Sequence, residues 1–240
     1  MNINLYSLGL MSGTSLDGID VSIIKSDGEQ YIEIVDDLYL KYDDQLKLKL
    51  EKIIDSCSSK DQIAKIAEEI NELEKSLTLY HAKAYKLIVE KNKNIKIDLI
   101  GFHGQTILHK PQKKYSIQIG DSQLLSKITN TTVISNFREN DILSGGQGAP
   151  LTPIYHQLIL KKIQSKLPSA VINIGGIANI TYMTESNKII GFDAGPGNYL
   201  IDKWIRAKTK YEFDAGGLIA KSGQPNEDIL NKFLDDPYYK

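Results

Sequence analysis

Gly9-Leu-Met-Ser-Gly-Thr-Ser-Leu-Asp-Gly-Ile-Asp20 decides how the rest of this chain is read. Its apolar lead-in, Leu5 to Met11, stops at Ser12-Gly13. Ile19 to Ile24 then resumes with the alternation of a strand, so the segment reads as two strands joined by a turn. Gly13 and Gly18 leave backbone N–H groups clear of side-chain bulk, and Thr14 and Ser15 add hydroxyls. Such a nest suits phosphate oxygens. Asp17 and Asp20 are the carboxylates Mg2+ would take, directly or through water. An ordinary glycine hairpin carries the same residue types, so the segment needs partners elsewhere in the chain.

The commoner phosphate and nucleophile motifs are missing. There is no GxxxxGK[ST], no GxGxxG between a strand and a helix, and no GxSxG elbow. No metal-type pair of histidines points to zinc hydrolysis. With 240 residues, 41% hydrophobic and 25% charged, the chain can build one large domain or two small ones. Its net charge of −1 gives no electrostatic reason to expect nucleic acid or an acidic membrane as partner. The single cysteine, Cys57, allows no internal disulfide and no CxxC pair. The opening residues lack a signal-peptide pattern, and no apolar run reaches the ~20 residues that span a bilayer. The expectation is a cytoplasmic protein.

Working outward from the hairpin, Tyr31 to Val35 and Leu38 to Leu40 alternate again, giving an antiparallel meander of three strands. From Asp44 to Glu90 the spacing turns helical, through Leu46, Leu50 and Ile53 and then Ile70, Leu73, Leu77, Ala84 and Ile88. Asp55 to Lys60 breaks this into two helices, the second capped by Ser59 or Asp61. Strands are expected at 97–103, 115–119 and 131–135, with a short helix at 124–128. A Gly/Pro loop at 144–153 and a helix from Ile154 to about Ile163 lead to a second meander at 170–174, 180–183 and 188–192. Helices near 200–207 and 228–234 follow. The strand–turn–strand–strand–helix order thus occurs twice. That predicts two similar α/β units around a cleft, residues 1–150 and 151–240.

Four further segments carry chemistry. Asn173-Ile-Gly-Gly-Ile-Ala-Asn179 occupies the turn of the second meander, where the first holds Gly13-Thr14-Ser15. Two glycine turns at equivalent places can grip one polyphosphate, with Asn173, Gly175 and Gly176 as the second jaw. Gly191-Phe-Asp-Ala-Gly-Pro-Gly-Asn198 delivers Asp193 from a strand into a turn, a natural position for a general base. His103 and Gln105, in Gly101-Phe-His-Gly-Gln-Thr106, can hydrogen-bond sugar hydroxyls. Arg138 can form a bidentate fork with a carboxylate. His81 and His156 fall on helices and read as structural.

In this order GLMSGTSLDGID, GFHGQT, QIGD, NFR, GGQGAPLTP, NIGGIANIT and GFDAGPGN resemble the anhydro-N-acetylmuramic acid kinase family. The resemblance implies an α/β, actin-like ATPase fold of two ribonuclease-H-like domains. It implies ATP, Mg2+ and the cell-wall sugar 1,6-anhydro-N-acetylmuramic acid. The family opens the anhydro ring and phosphorylates O6, giving N-acetylmuramic acid 6-phosphate for peptidoglycan recycling. By position, Gly13, Thr14, Ser15, Leu16, Asp17, Gly18, Ile19 and Asp20 become the nucleotide phosphate turn, with Asp17 as a Mg2+ ligand. Asp193 becomes the base, and His103, Gln105, Arg138, Gly197 and Asn198 hold the sugar. Ala194 stands where the family usually has Thr, and Asn136 where it usually has Asp. The family continues for about another hundred residues, so the second domain is expected to be incomplete. A homodimer or a complementing C-terminal fragment would then supply the rest. The alternatives are a relative that binds sugar or phosphate without turnover, and an actin-fold interaction module.

Overall fold

Strands β1 (Leu5–Ser12), β2 (Gly18–Ser26) and β3 (Ile32–Lys41) open the chain as the expected antiparallel meander. The structure, a computed structural model, describes residues 4–237. The two short runs expected at 31–35 and 38–40 are one strand. A register shift opposite Ile23 and Ile24 leaves Val35 without a partner, and this bulge hides the continuity from the alternation.

The helical stretch is three helices rather than two: α1 (Asp44–Ser56), α2 (Lys60–Lys65) and α3 (Ala67–Lys91). Asp43 caps α1 by accepting from the Leu46 N–H at 2.7 Å, and Ser59 caps α2. The extra break falls at Ile66, whose ψ of 30° leaves the helical region. Strand β4 (Leu99–Phe102) is followed by β5 (Gln105–Lys110) and β6 (Tyr115–Ile119), then α4 (Ser122–Thr129) and β7 (Thr132–Ile134). Strand β5 is unforeseen in the sequence; it pairs with β6 in a small sheet of its own.

The main sheet has five strands in the order β3-β2-β1-β4-β7. Strand β2 runs antiparallel to its neighbours, while β1, β4 and β7 are parallel. This order and these directions are those expected of a ribonuclease-H-like sheet. Along α3, residues Ile70, Leu73, Leu77, His81, Ala84 and Ile88 are all buried, the stripe a period of 3.6 demands. They pack with Leu8 and Leu10 of β1, Ile19, Val21 and Ile23 of β2, and Ile100 and Phe102 of β4. Each Leu, Ile, Val or Phe among them contributes roughly 1.5–3 kcal/mol on full burial.

Helices α5 (Glu139–Leu143) and α6 (Pro153–Lys162) precede a three-stranded sheet, ordered β10-β9-β8, of β8 (Ser169–Ile174), β9 (Ile177–Met183) and β10 (Ile189–Pro196). The two-residue link Gly175-Gly176 between β8 and β9 is one that antiparallel strands can close. Helices α7 (Tyr199–Lys208), α8 (Leu218–Ser222) and α9 (Glu227–Leu234) complete the described residues. The chain groups into two compact units. One comprises residues up to Val171 with Ile180–Phe192; the other comprises Ile172–Asn179 and the residues from Asp193 onward. In the second unit Trp204, Leu218 and Phe233 are more than half exposed. No helix among the described residues is long and apolar enough to cross a membrane.

Candidate active site

The hairpin tip between β1 and β2 presents Thr14, Ser15 and Asp17 to solvent while Leu16 is buried. Leu16 has φ 55°. A left-handed Leu costs about 1–2 kcal/mol, which burial of its side chain offsets. The Leu16 N–H donates to the Gly13 carbonyl at 3.4 Å, closing the turn. Gln105, fully buried, donates from Nε2 to the same carbonyl at 3.1 Å. A trans peptide sets its N–H opposite to its carbonyl, so the Thr14 N–H faces away from Gln105. Ser15 donates its hydroxyl hydrogen to the Asp17 carboxylate. Burial and the Asp17 charge beside it raise the Asp20 carboxyl above its ordinary value. Gly18 is required by space: a Cβ there would meet the Leu40 carbonyl oxygen at 2.5 Å.

His103 and Arg138 come together. His103 Nδ1 lies 2.7 Å from the Gly104 carbonyl, which only accepts, so Nδ1 carries the proton. Its Nε2 therefore accepts from Arg138 Nε at 2.9 Å. Burial, and then the Arg138 charge, depress the imidazole to about 4, and the ring is neutral at physiological pH. Arg138 also donates from Nη1 to the Gly148 carbonyl. The same glycine loop is tied to Asp141, which accepts from the Gly148 N–H at 2.6 Å. A Cβ on Gly146 would lie 2.2 Å from the Asp141 carboxylate, so this loop is shaped around that side chain. Asp141 escapes a motif search; its one signal is an acid three residues after Arg138, just before the glycines.

His103 borders a groove of about 700 Å³ on the face of the main sheet away from α3. Gly9 and Gly101, paired in register, form its floor with Ser22. Met11, Tyr39, Phe137 and Tyr155 line it, with Asp20 and His103 beside them.

In the second unit, the two predicted segments are joined. Gly197 N–H donates to the Gly176 carbonyl at 2.9 Å, Asn198 N–H to Gly175 at 2.7 Å, and Tyr199 N–H to Gly176 at 3.2 Å. Asn198 Nδ2 reaches the Ile174 carbonyl at 3.4 Å. A Cβ on Gly197 would stand 2.2 Å from the Gly175 oxygen, so only glycine permits this contact. Asp193 is exposed on β10, ahead of that loop, and Asn173 is exposed on β8. Buried Gln105 Oε1 and Asn179 Oδ1 have no hydrogen-bond partner. Among the described residues no group of three or more His, Cys, Asp or Glu could hold a metal ion by itself.

The family model described as anhydro-N-acetylmuramic acid kinase matches residues 5–240. An anhydro-N-acetylmuramic acid kinase of Pelagibacter ubique is 47% identical over 232 residues, covering 96% of this chain and 62% of the relative. One of Agrobacterium fabrum is 38% identical over 237 residues, covering 97% of this chain and 64% of that protein. Among solved structures, a Ppx/GppA family protein of Aquifex aeolicus gives a TM-score of 0.45 at 10% identity, covering 97% of this chain and 60% of its own. The mixed sheet and the family match define an α/β protein of the kinase class named by that family. The chain belongs to the anhydro-N-acetylmuramic acid kinase family. It spans 62% and 64% of the length of the two relatives described.

Proposed function

We propose that this chain carries the phosphate turns, sugar loops and base of an ATP-dependent kinase acting on 1,6-anhydro-N-acetylmuramic acid. The observation that carries this reading is the family match over residues 5–240, which includes every segment named above. Gly13 to Asp20 would take the nucleotide phosphates, with Asn173, Gly175 and Gly176 as the opposing turn. The hairpin fits such a group, because its Gly13 carbonyl is held inward by Gln105 and Thr14 and Ser15 are exposed. Asp17 and Asp20 fit Mg2+, which binds through one or two carboxylates plus substrate phosphates. Burial, and after it the Asp17 charge, raise the Asp20 carboxyl, and a cation would offset both. When bound, the cation would neutralise charge on the transferred phosphoryl group.

Asp193 accepts a proton from the water whose oxygen bonds to C1 of the sugar. The C1–O6 bond breaks, and O6 takes the γ-phosphoryl group as ADP leaves. His103, neutral and fixed by Arg138, offers an oriented ring beside the sugar. Arg138 faces the lactyl carboxylate, and Gly197 and Asn198 close on the sugar from their loop. Gln105 serves the site from behind the hairpin. The chain would act in the cytoplasm, with residues 1–150 and 151–240 as the halves of the cleft.

Incubation of the chain with anhydro sugar, Mg2+ and labelled ATP tests this, alone and with the C-terminal portion of a relative added. Phosphorylated sugar in either arm supports it, and Asp193→Asn should lower turnover by at least ~100-fold. Absence of product in both arms, or full rate in Asp193→Asn, would refute the reading.

A further inference from the structure

The sequence leaves His81 as an unremarkable helix residue, and the proposed chemistry does not use it. In the structure it lies fully buried beneath the hairpin, its Nδ1 2.9 Å from the Leu77 carbonyl. A carbonyl only accepts, so Nδ1 donates and Nε2 of the neutral ring must accept. Ser12 Oγ lies 3.0 Å from that Nε2 and therefore donates to it. Tyr42 OH lies 2.6 Å from Ser12 Oγ, whose proton is already committed, so the tyrosine donates. The direction of the whole chain is fixed: Tyr42 to Ser12 to His81 to Leu77. Phe102 packs edge-on against the His81 ring with centroids 4.9 Å apart. Burial holds His81 at about 4, which keeps Nε2 an acceptor at physiological pH.

This chain passes through Ser12, the last residue of β1, immediately before the turn. Two more bonds reach the turn itself. The Tyr42 N–H donates to the Asp17 carbonyl at 3.0 Å, and Gln105 Nε2 donates to the Gly13 carbonyl at 3.1 Å. Both ends of the tip, residues 13 and 17, are thus held through backbone carbonyls. The tip's exposed groups make no bond to these supports. All of the supporting side chains are buried, so they cannot touch a ligand.

We propose that Tyr42, Ser12, His81 and Gln105 form a buried cradle that positions the Gly13–Asp17 turn for a polyphosphate. They are positioning residues: the cradle turns the Gly13 and Asp17 carbonyls inward, away from an anion that would repel them, and leaves the Thr14 N–H facing out. The purpose assigned to the cradle rests on the phosphate reading of the hairpin, so the test separates the two.

Tyr42→Phe removes one hydroxyl and keeps the ring; Gln105→Met keeps the length and removes the donor. Two quantities are measured on the full chain: 15N relaxation at residues 13–17, and affinity for inorganic triphosphate with Mg2+. The expected result is lower backbone order at Thr14 and Ser15 in both variants. Triphosphate affinity should fall about five- to tenfold, the size of one hydrogen bond. Unchanged order at residues 13–17 in both variants would overturn the cradle, whatever the affinity. Disordering of the turn in the variants, with no triphosphate binding by the unaltered chain, would overturn the phosphate reading instead. A Leu125→Ala control, destabilised in the core away from the turn, should leave triphosphate affinity at the unaltered value. An equal loss there would show the effect to be general stability, and would also overturn the cradle.

Discussion

Acidification from about pH 7.5 to about pH 5.5 should cost the folded chain about 1.4 kcal/mol for each of two histidines. His81 and His103 are both depressed from 6.5 to about 4, chiefly by burial. The unfolded chain takes up their protons below about 6.5 and the folded chain does not. Their effect on stability is therefore nil above that value, grows as the pH falls, and saturates near 4. At pH 5.5 the linkage relation, RT ln(11/1.03), gives about 1.4 kcal/mol apiece and about 2.8 for the pair. That is a large share of the 5–15 kcal/mol that holds an ordinary domain. The surroundings agree in sign. His81 meets Ser12 and the field of His103, and His103 meets Arg138, so among the described residues no carboxylate stabilises either imidazolium. His156 is lowered by burial and pulls the same way. Asp36 and Asp43, held low by hydrogen bonds, lose their contribution only below about 3.8, and the raised Asp20 acts in the opposite direction. The assay is urea unfolding followed by far-UV circular dichroism, which weights the long helices of the first unit. Fluorescence of Trp204 would report on the other unit. The unaltered chain should lose about 3 kcal/mol across this range, and His81→Gln and His103→Gln should each lose about 1.4 less. A drop of equal size in all three proteins would refute the reasoning.

Gly197→Ala should cost about 2–3 kcal/mol locally, because its Cβ would overlap the Gly175 oxygen at 2.2 Å and displace three backbone hydrogen bonds. Amide exchange at Gly197, Asn198 and Tyr199 is the readout, and unchanged protection would count against the required glycine. Leu77→Ala, at a position with no exposure in the centre of α3, should destabilise the first unit by about 2–5 kcal/mol in the same urea assay. A loss below about 1 kcal/mol would mean that α3 is not the spine of that core.

Much of this architecture is written in local patterns. The α3 stripe from Ile70 to Ile88 is legible because one face of a long helix must be buried at nearly every turn. The opening meander is legible because its strands alternate, and its only concealed feature is the bulge at Val35. Strand β5 was not legible, because Gly104 at φ 68° directly before it makes His103-Gly-Gln105 read as a loop. The break before the third helix is hidden because Ile66 looks like one more apolar residue of the periodic run. The union of Gly197 and Asn198 with the Gly175-Gly176 turn left only a trace, two glycine-rich segments. The cradle left none. Tyr42 and His81 lie 30 and 69 residues from Ser12, and each alone is an ordinary residue of its type.

Position 136 shows how backbone geometry alters the meaning of a departure from the family pattern. Read as sequence, Asn136 is an acid replaced by its amide beside Phe137-Arg138, hence a lost charge near the sugar. In the structure Asn136 has φ 60°, between the end of β7 and the start of α5. Asparagine is among the few non-glycine residues that enter this region readily. Its carbonyl accepts from the Glu139 N–H at 3.3 Å, so the residue turns the chain into the helix that follows Arg138. Arg138 then donates to His103 at 2.9 Å, and Asp141, one turn along, accepts from Gly148. Each of these bonds depends on the direction of the turn and none on a carboxylate at 136. The amide therefore preserves the arrangement of Arg138, His103 and the glycine loop.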